Sequence, residues 1–326
     1  MASLAEDAVL EQWIDRMNFL ARFHRALAAG LTVLAVAAPL GAVAAGLLDA
    51  KPRIAVVSAF EPEWQVLKSD LAEAKEHHVN GRSFITGKLA GKDVVLFLSG
   101  VSMVNAAMNT QIALDRFSLT AVIFSGIAGG VDPALHIGDV VIADQWGQYL
   151  EAVFARETSE GFAIPPWMQA QDFAGYGMIV PRTVGVTREN ASGEEERFWF
   201  PSDAALLDAA RKVAAKLDLA DCVEENKCLT RKPEIIVGGN GVSGQAFVDN
   251  AKFREYVLAT FEAKVLDMES AAVAHVTYSN GVPFLAVRSL SDLAGGGEGA
   301  NEMTTFMGLA SKNSAAVVTA ILKEIP

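Results

Sequence analysis

The stretch AVIFSGIAGG, residues 121–130, decides the fold. Four apolar residues run without a polar break and end in Ser125-Gly126. A strand exposed on one face alternates apolar and polar residues, whereas an unbroken apolar run fits a strand buried on both faces. Similar short runs recur at residues 54–58, 139–143, 235–237, 265–267 and 284–288. Helical spacing lies between them, at 61–74, 103–117, 249–261, 269–279 and 301–325. Apolar strands alternating with helices predict an α/β domain with a sheet covered on both faces. Residues 83–89 and 93–99 flank Ala90-Gly91-Lys92 and predict a hairpin.

The 326 residues are 51% apolar, enough for a large core. A net charge of −12 argues against a nucleic-acid polymer as partner, since phosphates demand a basic stripe. Two cysteines are too few for a disulfide scaffold or a four-cysteine zinc site, and the five histidines are scattered.

Residues 26–48, ALAAGLTVLAVAAPLGAVAAGLL, carry no charge and follow Arg22, His24 and Arg25. A basic flank, an apolar run and Ala42-Val43-Ala44 form the pattern of a signal peptide cleaved after residue 44. Acidic residues before Met17 make Met17 the better start. The alternatives are an uncleaved membrane anchor and a buried helix. The expectation is an exported, periplasmic or secreted protein whose mature domain spans 45–326, with no stable membrane insertion after cleavage.

The segment at about 145–233 reads as a long irregular insertion closed by a helix at 202–217. Cys222 and Cys228 follow that helix. In an exported chain they are expected to form a local disulfide; in a cytosolic one they are free thiols.

Open α/β sheets bind ligands beyond the carboxyl ends of their strands. Glu63, Glu269 and Asp292 fall there, together with Phe247 and Gly-rich stretches at 125–130 and 238–244. Each has an ordinary structural reading too. Glu63 and Glu269 suit first helical turns, Asp292 a cap or turn, Phe247 a core, and the glycines simple turns. Neither Gly-rich stretch matches a dinucleotide or P-loop fingerprint.

FSGIAGG (124–130), GQAF (244–247), LDMESAAVAHV (266–276) and RSLSDLA (288–294) resemble the purine nucleoside phosphorylase / methylthioadenosine–S-adenosylhomocysteine nucleosidase superfamily. The resemblance covers 53–144 and 234–326. GGNGVSG, YSNGVPF and LSDLAGGG look most like its secreted branch, which includes plant bark and vegetative storage proteins. The resemblance implies a mixed central sheet flanked by helices, a homodimer, and cleavage of a purine N-glycosidic bond without a cofactor or metal. It matches Glu63 to the water-activating glutamate and Asp292 to the acid at purine N7, with Ser291 holding it. Glu269 and Met268 match the ribose site, Phe247 the ring stacked on the base, and Val248 the backbone at the base edge. Phe60 lies on the strand-end turn that carries Glu63, and Ala128 and Gly129 match the turn around the sugar.

The chemistry suits these types. An acid near N7 neutralises the departing base, and a carboxylate at the hydroxyls stabilises an oxocarbenium-like sugar. Residues 58–63, SAFEPE, are acidic and lack the arginine of a phosphate-binding loop, which favours water over phosphate. Asp rather than Asn at 292 resembles the superfamily's 6-aminopurine pattern, which implies adenine nucleosides. Asp267, Ile127 and Gly295-Gly296-Gly297 depart from the family pattern, and with the insertion they leave the 5′ substituent open. The alternatives are a phosphorylase and a storage or binding protein with little activity.

Overall fold

The computed structural model describes residues 46–168, 172–224 and 227–326; the expected leader at 1–44 lies outside them. Among the described residues a mixed sheet of twelve strands organises the chain. Its first seven strands are β1 (Asp49–Ser58), β2 (Ala72–Val79), β3 (Arg82–Leu89), β4 (Lys92–Leu98), β5 (Phe117–Gly130), β6 (Val140–Ile142) and β7 (Gln145–Gln148). The rest are β8 (Trp199–Pro201), β9 (Ile235–Val237), β10 (Asn240–Ser243), β11 (Ala263–Asp267) and β12 (Phe284–Asp292). The spatial order is β8-β7-β10-β11-β5-β1-β4-β3-β2, with β12 beside β5 and β6, and β9 on β6. The predicted hairpin is the antiparallel β3–β4 pair.

The helices are α1 (Glu61–Ser69), α2 (Met103–Arg116), α3 (Ala204–Ala214), α4 (Ala251–Phe261), α5 (Ser270–Ser279) and α6 (Met303–Glu324). Alternation along β5 builds a core on each face of the sheet. Val122 and Phe124 join the core on the side of α2 and α5. Ala121 and Ile123 join the core beneath α1, α3 and α6. Val122, Ile123 and Phe124 each contribute about 1.5–3 kcal/mol by their burial. That double burial is why the strand reads as an unbroken apolar run.

Three readings are corrected. The helix at 61–74 stops at Ser69, and residues 72–79 form β2 against β3. AEAKEHHV has good helix formers but no apolar stripe to bury, so pairing prevails. Its charged side chains then serve as an exposed sheet edge. The Gly-rich stretches at 125–130 and 238–244 are largely strand rather than turn. β5 continues to Gly130, pairing with β12 from Val122 to Gly129 and then antiparallel with β11. Asn240–Ser243 is β10, between β7 and β11.

The insertion is not irregular. It begins in β7 and returns in β8, which pair antiparallel at the sheet edge. Between them lie Ala152–Phe154 on Ile179–Pro181, Arg156–Thr158 on Gly161–Ala163, and Val184–Thr187 on Glu194–Arg197. An aromatic cluster anchors this part; the rings of Phe198 and Phe261 stack 5.4 Å apart. Cys222–Glu224 pairs with Lys227–Cys228, and Cys222 and Cys228 form a disulfide.

Candidate active site

A cavity of about 250 Å³ opens at the carboxyl ends of β1, β5, β11 and β12. All ten expected pocket residues line it: Phe60 and Glu63, Ala128 and Gly129, Phe247 and Val248, Met268 and Glu269, and Ser291 and Asp292. Five separate stretches of sequence converge there, and β1, β5 and β12, which run parallel, end on the same side of the sheet.

Glu63 lies in the first turn of α1 and is 1% exposed. Its carboxylate accepts N–H bonds from Ala59 at 2.7 Å, Phe60 at 3.4 Å and Ile127 at 2.8 Å. Burial pushes its pKa up, against the opposing pull of Arg288 and of these three amides. A buried carboxyl of raised basicity is suited to take a proton.

Arg288 is the residue that sequence reasoning passed over. It is completely buried in β12. Its Nε lies 2.7 Å from Asp267 and donates to Ser270 Oγ at 2.9 Å, while Nη2 lies 3.7 Å from Glu269. The guanidinium sits 4.0 Å over the Phe124 ring. Nη1 and Nη2 have no hydrogen-bond partner among the described residues. The available signal was a lone arginine inside the apolar run FLAVRSL.

Gly126 makes room for this arrangement. A Cβ there would lie 1.9 Å from Arg288 Nη1 and 2.7 Å from Glu63 Oε1. Gly126→Ala is therefore expected to displace both groups and to cost about 1–3 kcal/mol of stability. Thermal unfolding and analogue binding check this; native values for both would show that the pair moves aside freely.

Asp267 caps α5. Its carboxylate accepts the N–H groups of Glu269 at 3.2 Å and Ser270 at 3.1 Å, and hydroxyl bonds from Ser243 and Ser270. Glu269 holds the N-cap position but makes no cap bond. Its Oε1 accepts the Ser102 N–H at 2.7 Å instead. Ser102 has φ +77, a strained value for a residue with a side chain. Burial, with the Asp267 charge adding and Arg288 opposing, pushes Glu269 up to about 7.

Asp292 ends β12 and is buried. Ser291 Oγ donates to it at 2.9 Å, Ala294 N–H at 2.9 Å and Asn301 Nδ2 at 3.4 Å. Burial raises its pKa and outweighs those three bonds. Phe247 is 56% exposed at the cavity, with no core to fill. Val101 and Met303 complete an apolar wall that motif reasoning did not reach, having no polar signal.

Fold and site together define an α/β protein with three buried carboxyl groups, Glu63, Glu269 and Asp292, around one cavity. The sequence model of the phosphorylase superfamily matches residues 53–323, and the chain belongs to that superfamily. It is 32% identical over 275 residues to the 5′-methylthioadenosine/S-adenosylhomocysteine nucleosidase of Tolumonas auensis, covering 84% of this chain and 100% of that one. Among solved structures it is similar to the Neisseria meningitidis nucleosidase in complex with methylthio-immucillin-A, with TM-score 0.62 and 27% identity over 84% of this chain and 99% of that one. It is also similar to the Colwellia psychrerythraea nucleosidase in complex with adenine, with TM-score 0.62 and 25% identity over 83% and 95% of the two chains.

Proposed function

We propose that the protein is a nucleosidase that uses water to cleave the N-glycosidic bond of an adenine nucleoside such as methylthioadenosine or S-adenosylhomocysteine. The carrying observation is the convergence of Glu63, Glu269 and Asp292 on one cavity beside the exposed Phe247 ring. The relatives' names support the same substrates.

In this reading the base stacks on Phe247, with Val248 at its edge and Asp292 at N7. Asp292 gives its proton to N7 as the bond from C1′ to N9 breaks. Glu269 holds the ribose hydroxyls and faces the developing positive charge. Glu63 takes a proton from water while the water oxygen bonds to C1′. Glu63, Asp267 and Glu269 against Arg288 leave two net negative charges when ionised. That field favours a cationic sugar and disfavours a phosphate dianion.

A panel of methylthioadenosine, S-adenosylhomocysteine, adenosine and inosine tests the reading. Release of adenine from at least one of the first three, faster than hypoxanthine from inosine, is expected. No base release from any of them favours a storage or binding protein.

The raised pKa of Glu269 sets the sign of the pH dependence. Below about 7 its carboxyl is neutral in the free site and stabilises the cationic sugar less. The ratio kcat/KM is therefore expected to fall as pH drops through about 7. Glu269→Gln should be slower at every pH and lose the part of that limb carried by Glu269. An unchanged limb in the variant would assign it elsewhere.

The assembly proposed is a homodimer. Its support is the apolar surface of α2, where Val104 is 70% exposed and Met108 is also exposed, with Val101 exposed just ahead of the helix. Export, in keeping with the secreted branch, is supported by the N-terminal apolar segment and by a disulfide, which persists in oxidising compartments.

A further inference from the structure

The loop closed by the Cys222–Cys228 disulfide is tied to the strand that carries Asp292, although it lies outside the cavity. At its start, Ala220 exchanges two hydrogen bonds with the Asn313 side chain, both 2.9 Å. Beyond its end, Arg231 Nη2 donates to Asp139 Oδ2 at 2.5 Å. Leu229 N–H bonds to Asp221 O at 2.7 Å, so the two ends also meet through the backbone. Asp139 is completely buried and its carboxylate is otherwise used by backbone: Oδ1 accepts Glu234 N–H at 2.8 Å and Oδ2 accepts His136 N–H at 2.9 Å.

Gly138 and Asp139 then grip β12. Gly138 N–H donates to Leu290 O, and Leu290 N–H donates to Asp139 O, both at 2.8 Å. Leu290 precedes Ser291 and Asp292. The Leu229 side chain presses on Gly138, where φ is +89 and a Cβ would lie 2.5 Å from Leu229 Cδ1. Asn313 also reaches Gly138 O at 3.4 Å.

We propose that Arg231 and Asp139 are positioning residues for Asp292, held in register by the Cys222–Cys228 bridge. The inference rests on the nucleosidase reading above. The effect passes through backbone: Asp249 is the charged neighbour that acts on the Asp292 carboxyl, with Ser291, Ala294 and Asn301 bonded to it. Removing the clamp loosens the turn at Leu290 and lets Asp292 relax toward water, where a carboxylic acid loses its proton more readily. Reduction does the same. A dithiol such as dithiothreitol supplies two electrons and two protons, leaves as its cyclic disulfide, and returns both cysteines as thiols.

The test is adenine release from methylthioadenosine as a function of pH. It uses the oxidised protein, the dithiothreitol-reduced protein with thiols counted, Arg231→Met and Arg231→Lys. The expected result is a kcat about tenfold lower in the reduced protein and in Arg231→Met, with KM changed less than twofold. The alkaline limb of kcat should move to lower pH in both, and Arg231→Lys should recover most of the loss. Wild-type kcat and an unmoved limb in the folded reduced protein would overturn the inference, even if the melting temperature falls. Loss of fold in Arg231→Met leaves the reduced protein and Arg231→Lys to decide it. An oxidised wild type without base release would overturn the nucleosidase reading, and this inference with it; an active wild type with insensitive variants counts against the inference alone.

Discussion

Asp292→Asn is expected to lower kcat for adenine release by about three orders of magnitude, within the usual range for loss of a general acid. The substitution preserves shape. An amide oxygen still accepts the Ala294 N–H, now 2.9 Å from Asp292 Oδ1. What it lacks is a proton to give to N7. Burial raises the native pKa and favours the protonated form on which donation depends. Melting temperature and analogue binding should remain near native. Steady-state base release checks the prediction, and a native rate would remove Asp292 from the mechanism.

Glu63→Gln is expected to block hydrolysis to a similar extent while sparing the stacked base at Phe247. This variant also carries a structural cost. Both Glu63 oxygens accept backbone N–H groups, from Ala59 at 2.7 Å on one side and Ile127 at 2.8 Å on the other. Glutamine must turn an NH2 toward one of those donors. Leaving a buried donor unmatched costs about 1–3 kcal/mol. Reduced stability with retained analogue binding and lost turnover is the expected pattern. Unchanged turnover would end the assignment of Glu63 as base.

The double-sided burial of Ile123 and Phe124 made the central strand legible, because the whole run had to be apolar. β2 was not legible: AEAKEHHV has no buried stripe, and its pairing is imposed by β3. The strand stretches at Gly126 and Gly241 look like turns in sequence because small residues show no alternation. Gly126 is small because Arg288 and Glu63 occupy the space beside it. The cavity residues were legible in part from their place at strand ends, and their roles came from the family resemblance. Arg288 was missed as a functional group because its partners, Asp267 and Glu269, lie on another strand-to-helix junction. Ser102 was missed because its contribution is a backbone amide, which every residue has.

In the proposed reaction water attacks the sugar while Asp292 protonates the base. The most direct measurement is the identity of the sugar formed from methylthioadenosine, with and without added phosphate, in a buffer otherwise free of it. Adenine and the free 5-methylthioribose sugar are expected at the same rate in both conditions. Strict dependence on phosphate, with the sugar 1-phosphate as product, would contradict that reaction.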